Sequence, residues 1–467
     1  MAQHRLPQVR ERSIEELYRD DRERADALIF GRRPADQRDE RGAMARRGFL
    51  RGAGLAAIGA AVGARIPFAG DMPGGLVPAA LAQTPAAQPP AAAAPQGPRL
   101  LQMPGKARLV LLQERPLVAE TPEAMLDDDT TPTDKFYIRN NGLIPEVSGD
   151  RNAWKIKIDG EVNRPLELTL GELKQRFRPV TYFMQLECGG NGRSAFVPEA
   201  RGNQWGNGGM GCARWTGVRL RDVLQAAGLK PSAKYTAHFG ADPHLSGATD
   251  RPALSRGVRL PKALEEHSLI VFEMNGEPLP LIHGGPARLI YPGWAGSASH
   301  KWVTRIWIRD KEHDGPGMTG ASYRVAINPM IPGGTTPESN LRILESMPVR
   351  AIVTNPANGA ELVATAAGNR PLRLRGAAWA GDLSVRSVEV SINYGRTWQR
   401  AQLGAPRNRY DWQRWTANVT LPRTGYYEIW CRATDANGAS QPHVAGDWNP
   451  QGYGANAYHR VAVLVRS

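Results

Sequence analysis

The sequence predicts an α+β chain: a mixed domain of strands and short helices, followed by an antiparallel β-sandwich. Three observations predict it. Up to about residue 343, apolar residues alternate in some segments and recur at helical spacing in others. From Leu344 the pattern changes to short alternating runs separated by turn residues. The length, 467 residues, allows two or three domains with separate cores.

The elements follow in chain order. Residues 1–41 are polar and carry charges of both signs. Arg46-Arg47, an Ala/Gly-rich apolar stretch to Phe68 and the small-x-small site Ala80-Leu81-Ala82 form a twin-arginine export signal. Residues 1–82 are therefore expected to be cleaved and the mature protein to be periplasmic. Arg51 and Arg65 interrupt the apolar stretch, so no stable membrane span is expected. Residues 83–105 read as a Pro/Ala-rich linker. Ordered structure is expected from Arg108-Leu109-Val110-Leu111-Leu112, within a first domain over 106–343. Trp154–Gly160 alternates like a half-buried strand. Thr169 and Glu172 hold the N-cap and capping-box positions of a helix. Tyr182–Leu186 reads as a strand, Leu220–Gly228 as a helix closed by glycine, and Ser268–Phe272 and Arg288–Tyr291 as buried strands. In the second domain, 344–467, alternation recurs at Val388, Val390, Ile392 and Tyr394 and over Tyr427–Ala433.

The formal net charge is +14, which favours anionic substrates or acidic partners. Nucleic acid is not expected: there is no basic stripe, zinc-finger spacing or aromatic-glycine RNA motif. The three cysteines, Cys188, Cys212 and Cys431, form no CxxC or CxxCH, so no covalent haem is expected. A Cys188–Cys212 disulfide is one reading. The favoured one buries Cys212 and Cys431 as small hydrophobes.

Cys188 opens the run Glu187-Cys188-Gly189-Gly190-Asn191-Gly192-Arg193 at the end of an expected strand. Glycines there let the backbone turn and approach another group closely. The pattern presents one soft sulfur beside an arginine.

Further segments line up in order: Phe136–Asn141, Trp205, Cys212–Val218, Phe272–Pro280, His283–Arg288, Pro292–Gly296, His300-Lys301-Trp302, and finally Trp448-Asn449-Pro450 and Asn456–Val461. As an ordered set this resembles the sulfite oxidase family of molybdenum enzymes, from about Phe136 to the C-terminus. The resemblance implies a molybdopterin domain followed by an immunoglobulin-like dimerisation domain, hence a homodimer. It implies one molybdenum on one molybdopterin per chain, with Cys188 as the only protein ligand. Thiolate sulfur suits that role because it is soft and electron-donating. The same resemblance assigns the cofactor to Tyr137, Ile138, Arg139, Asn140, Asn141, Asp242, His283, Arg288, Ser299, His300 and Lys301. It assigns a substrate-anion pocket to Arg139 and Arg193, walled by Trp205. Arginine's planar fork and permanent charge suit sulfur oxyanions.

Two positions depart from the family pattern. Leu254 stands where a pocket tyrosine is expected, and Gln451 where a third pocket arginine is expected; Arg256 or His244 could compensate. The implied function is oxidation of sulfite to sulfate, with electrons passed to an external c-type cytochrome. Two alternatives remain: a sulfane dehydrogenase subunit of a thiosulfate-oxidising complex, and a non-catalytic periplasmic binding protein.

Overall fold

Strands dominate the architecture, and three of its sheets position the site. The computed structural model describes residues 97–334 and 336–467. The export signal and most of the expected linker lie outside the described residues. The α-helices among the described residues are short: Leu170–Arg176, Leu220–Ala227 and Leu260–Ala263. No helix among them is long and apolar enough to cross a membrane.

One five-stranded sheet runs Leu166–Thr169, Lys155–Gly160, Val303–Arg309, Tyr235–Gly240, Gly257–Arg259. Lys155–Gly160 and Val303–Arg309 pair in parallel, and the other neighbours are antiparallel. Ile156 and Ile158 are inward and fully buried, as period-two alternation requires. The first helix packs on this core and begins as its sequence dictates: Glu172 N donates to Thr169 Oγ1, and Thr169 N donates to Glu172 Oε2. The second helix ends at Gly228, whose φ of 69° closes it in the left-handed region.

The second sheet runs Glu277–Pro278, Leu269–Met274, Met210–Arg219, Pro179–Glu187, with Arg288–Ile290 also on Leu269–Met274. Pro179–Glu187 pairs antiparallel with Met210–Arg219 over its whole length, Glu187 opposite Met210. That register fixes where the strand stops and the cysteine loop starts.

A small antiparallel sheet joins Val110–Gln113, Val118–Glu120 and Ile138–Arg139. Packing starts earlier than the composition suggests: Leu101 is buried with Leu109, Ala119 and Ile138, although it lies in the stretch read as linker. One apolar side chain with a place in a core outweighs its Pro/Ala-rich surroundings. Glu120 ends the middle strand and accepts from Gly206 N at 2.8 Å. Burial raises its pKa to about 7 from the ordinary 4.5. The folded chain thus holds this proton longer than the unfolded chain. The stabilisation is full below about pH 4.5 and is lost as pH rises through about 7. Glu120→Gln, which stays neutral, is expected to raise the thermal midpoint at pH 8 and leave it nearly unchanged at pH 4. Equal shifts at both pH values would contradict this assignment.

Residues from Arg350 onward form two facing sheets. One runs Arg350–Asn355, Arg370–Trp379, Gln413–Leu421, Gln402–Leu403; the other runs Ala360–Val363, His459–Arg466, Gly425–Asp435, Val385–Ser391, Gln399–Arg400. Val353, Leu374, Trp415 and Val419 from the first meet Val388, Val390, Ile429, Cys431 and Val463 from the second in one core. Val388 and Val390 point inward as their alternation predicts. Ile392 and Tyr394 fall past the strand end, and Tyr394 has φ 58° in the turn.

This sandwich is bolted to the rest of the chain. Asp127 accepts from Thr354 Oγ1 at 2.6 Å and from Arg414 Nη2 and Arg375 Nε at 2.8 Å each. Glu187 and Arg350 form an ion pair at 3.1 Å, with both side chains essentially inaccessible to solvent. The second Glu187 oxygen accepts from Trp379 Nε1 at 2.7 Å.

Candidate functional site

The site is built on the end of the strand Pro179–Glu187. Cys188 N donates to Gly209 O at 2.8 Å, the last rung beside the neighbouring strand. The chain then turns: Asn191 N donates to Cys188 O and Arg193 N to Gly190 O. Gly192 has φ 81°. At Gly190 a β-carbon would lie 2.3 Å from Arg193 Nη2, so the guanidinium rests where a side chain would be. Cys188 itself is buried and faces a pocket.

Three other segments line that pocket. Tyr137, Arg139, Asn140 and Asn141 come from the short strand Ile138–Arg139 and its flanks, His283 from the helical turn Leu281–His283, and Arg288 from the start of the strand Arg288–Ile290. Ser299, His300 and Lys301 precede Val303–Arg309. Asp242 closes one side. These residues are dispersed over more than 160 positions, and the sheets bring them together around Cys188.

The walls are cationic and largely buried. Arg288 donates to His283 O and Ser299 O at 2.8 Å each, and burial lowers its pKa to about 10. Lys301 donates to Asn140 Oδ1 at 2.6 Å and Ile282 O at 2.8 Å. Burial, then the charge of Arg288, holds Lys301 well below the usual lysine range. Burial and the neighbouring Lys106 push His283 well down, and burial lowers His300 to about 3. Asp242 is the one carboxylate in the lining, and burial raises it to about 6. Several buried cations facing one weak acid penalise the charged forms, and a bound anion would relieve that penalty. Asn140 Nδ2, Ser297 Oγ and His300 Nδ1 are buried without a hydrogen-bond partner. Unpaired polar atoms in one pocket mark a place for a polar ligand. The donor set therefore fits a phosphate-bearing organic group, with Cys188 beside it.

Three expected residues lie elsewhere. Ile138 does not line the pocket: strand alternation turns it into the core of Leu101, Leu109 and Ala119 while Tyr137 and Arg139 face the other way. Trp205 is fully buried behind Tyr137, edge-on with ring centroids 6.0 Å apart, so it backs the wall without forming it. Arg193 is turned aside: Nε donates to Gln451 O and Nη1 to Asn203 O, each at 2.7 Å. It stays close enough for its charge to interact with Cys188 and Arg139. His244 bonds Ser246 and lines a separate surface hollow over 239–252. The cysteines are unpaired: Cys212 lies 3.2 Å from Asp411 Oδ1, and Cys431 sits in the sandwich core.

Leu254 does line the pocket. So do Phe136, Leu186, Ser297 and Tyr323, which the sequence reading did not assign. Ser297 adjoins the glycine turn at Gly296 and could have been found from it. Tyr323 has no periodic or motif signal, and its φ of 50° is invisible in sequence.

Comparison with known proteins shows the family. A family described as oxidoreductase molybdopterin binding domain matches residues 141–317, and one described as Mo-co oxidoreductase dimerisation domain matches 342–466. The chain is 32% identical to sulfite oxidase of Gallus gallus over 359 residues, covering 74% of this chain and 76% of that protein. It is 33% identical to mitochondrial sulfite oxidase of Drosophila melanogaster over 371 residues, covering 75% of this chain and 62% of that one. The crystal structure of the sulfane dehydrogenase SoxCD from Paracoccus pantotrophus superposes with a TM-score of 0.63 at 26% identity, covering 83% of this chain and 96% of that chain. A cysteine at a strand end, a buried cationic pocket and extended identity together show that this chain is an oxidoreductase belonging to the sulfite oxidase family of molybdopterin enzymes.

Proposed function

We propose that this chain is a periplasmic dehydrogenase that oxidises sulfite to sulfate and passes the electrons to an external c-type cytochrome. In this reading residues 106–343 bind the cofactor, and residues 344–467 form an immunoglobulin-like domain through which two chains pair. The observation that carries it is the buried cation-lined pocket with a single cysteine sulfur at its wall. Among the described residues no group of three His, Cys, Asp or Glu side chains converges as a metal site. A metal at Cys188 would therefore draw its other ligands from a bound organic group. Molybdopterin with its molybdenum supplies the two-electron redox chemistry there.

The chain's own residues hold and orient. Arg288, Lys301 and His283 offer charge and donors to the phosphate end, with Asn140, Ser299 and His300 beside them. Arg139 lines the same pocket, where it offers a permanent charge to a sulfur oxyanion. Arg193 acts from behind the loop as a fixed positive charge near Cys188, a preorganised electrostatic contribution. Burial of these groups excludes water and strengthens each charge interaction.

A second reading, a sulfane dehydrogenase acting on protein-bound sulfur, is favoured by Leu254 at the pocket wall and by the likeness to the Paracoccus enzyme. Steady-state assays of the metal-loaded protein separate the two, using free sulfite or a cysteine persulfide with ferricyanide and cytochrome c as acceptors. Turnover of free sulfite with reduction of cytochrome c is the expected result. Activity on the persulfide alone selects the second reading. Protein without molybdenum, from a host that makes the cofactor, would overturn both.

A further inference from the structure

Tyr323 immediately precedes the strand Arg324–Ala326 and is the tyrosine that lines the pocket beside Tyr137. Its hydroxyl lies 3.2 Å from Asn141 Oδ1. Arg139 Nη2 donates to that same oxygen at 2.7 Å. Two strong donors, one neutral and one charged, thus converge on a single amide oxygen at the pocket wall. An entering oxyanion is a better acceptor than an amide and could take both donors at once.

The ring is held from both neighbouring segments. The Arg256 guanidinium carbon lies 4.6 Å from the Tyr323 ring centroid. Tyr453, from the C-terminal region, stacks on Tyr323 with centroids 5.0 Å apart and planes 17° apart. Arg193 in turn lies over Tyr453 at 5.3 Å. The row Arg256, Tyr323, Tyr453, Arg193 therefore links the cysteine loop to the pocket wall. Arg256 is fully buried, and among the described residues its guanidinium donates to Gly317 O at 2.8 Å. Its Nε is left without a partner. Burial opposes its charge, and the neighbouring Tyr323, Tyr235 and Tyr453 favour it. A buried arginine over a ring, with no ion pair to a carboxylate among the described residues, is suited to fixing that ring. Tyr323 also holds φ at 50°, an uncommon conformation for an aromatic residue and one that persists where the surroundings over-determine it.

We propose that Tyr323 is the hydroxyl that contacts the substrate anion in this chain, in place of a tyrosine at position 254, and that Arg256 is the residue that positions it. The inference rests on the oxyanion pocket proposed above. Leu254 leaves an apolar wall without a donor. Tyr323 supplies the donor from a different segment, next to Arg139. The role is hydrogen bonding and orientation, with no proton transfer.

Tyr323→Phe keeps the ring and both stacks and removes only the hydroxyl. On the metal-loaded enzyme it is expected to lower kcat/KM for sulfite by about tenfold or more, mainly through KM, as expected for one bond to a charged group. The dissociation constant of sulfate, followed by calorimetric titration of the same proteins, is expected to rise by a similar factor, with the thermal midpoint unchanged. Arg256→Lys keeps the charge but loses the planar stack, and it should shift both quantities the same way by a smaller factor. Unchanged sulfate affinity and kcat/KM in Tyr323→Phe would overturn the proposal. If that variant does not fold, unchanged values in Arg256→Lys overturn it. If the wild-type protein turns over no sulfite, the functional reading falls, while the sulfate affinities still decide the role of Tyr323.

Discussion

Arg350→Met is expected to destabilise the protein by about 3–5 kcal/mol, the cost of leaving a buried carboxylate without its charge partner. Glu187 has no solvent exposure and ends the strand that presents Cys188. It accepts from Arg350 Nη1, Asn191 Nδ2 and Trp379 Nε1. Arg350 also donates to Asn191 O at 3.0 Å, inside the cysteine loop. Removing it therefore strands Glu187 and frees a loop carbonyl together. Neighbouring groups in one network do not add independently, so the double variant Glu187→Leu/Arg350→Met should be less destabilised than the sum of the singles. Chemical denaturation of the four proteins measures this. A loss below about 1 kcal/mol in Arg350→Met would place the pair among those with little net effect.

Cys188→Ser should abolish turnover while leaving the melting temperature nearly unchanged. Serine is close to cysteine in size, and Cys188 N, not its side chain, makes the rung to Gly209. The hydroxyl, however, is harder, less polarisable and far less readily deprotonated than a thiol, so it makes a poor replacement for a soft anionic ligand. Cys212→Ser provides the contrast. That sulfur is packed against Asp411, away from the pocket, and burial pushes its thiol well up. The substitution should leave activity per molybdenum intact. Full activity in Cys188→Ser, or its loss in Cys212→Ser at unchanged metal content, would contradict the ligand assignment.

Much of this was legible in the sequence because it is local. The Thr169/Glu172 box, the Gly228 helix end and the alternation of Ile156 and Ile158 each depend on a few adjacent residues. The pocket lining was legible through the ordered motifs, since Cys188, His283, Arg288 and Lys301 occur in short distinctive runs. Direction and distance were not legible. Alternation says that Ile138 opposes Tyr137 and Arg139, but not which face meets the pocket. The turn of Arg193 away from the lining is set by Gln451 O, 258 residues further along the chain. Tyr323 owes its place to a left-handed backbone and to stacking on Tyr453, neither of which leaves a trace near it in sequence.

The bolt between Glu187 and Arg350 has a consequence for synthesis. A ribosome makes the cysteine loop early and its supports late: Arg350, Trp379 and the Gln451 carbonyl emerge more than 160 residues after Cys188. Until those residues emerge, the loop lacks the hydrogen bonds to Arg350 and to the Gln451 carbonyl. A chain halted near residue 343 would carry Cys188 without Arg350, Trp379 and the Gln451 carbonyl, the frame that supports its loop and the strand before it.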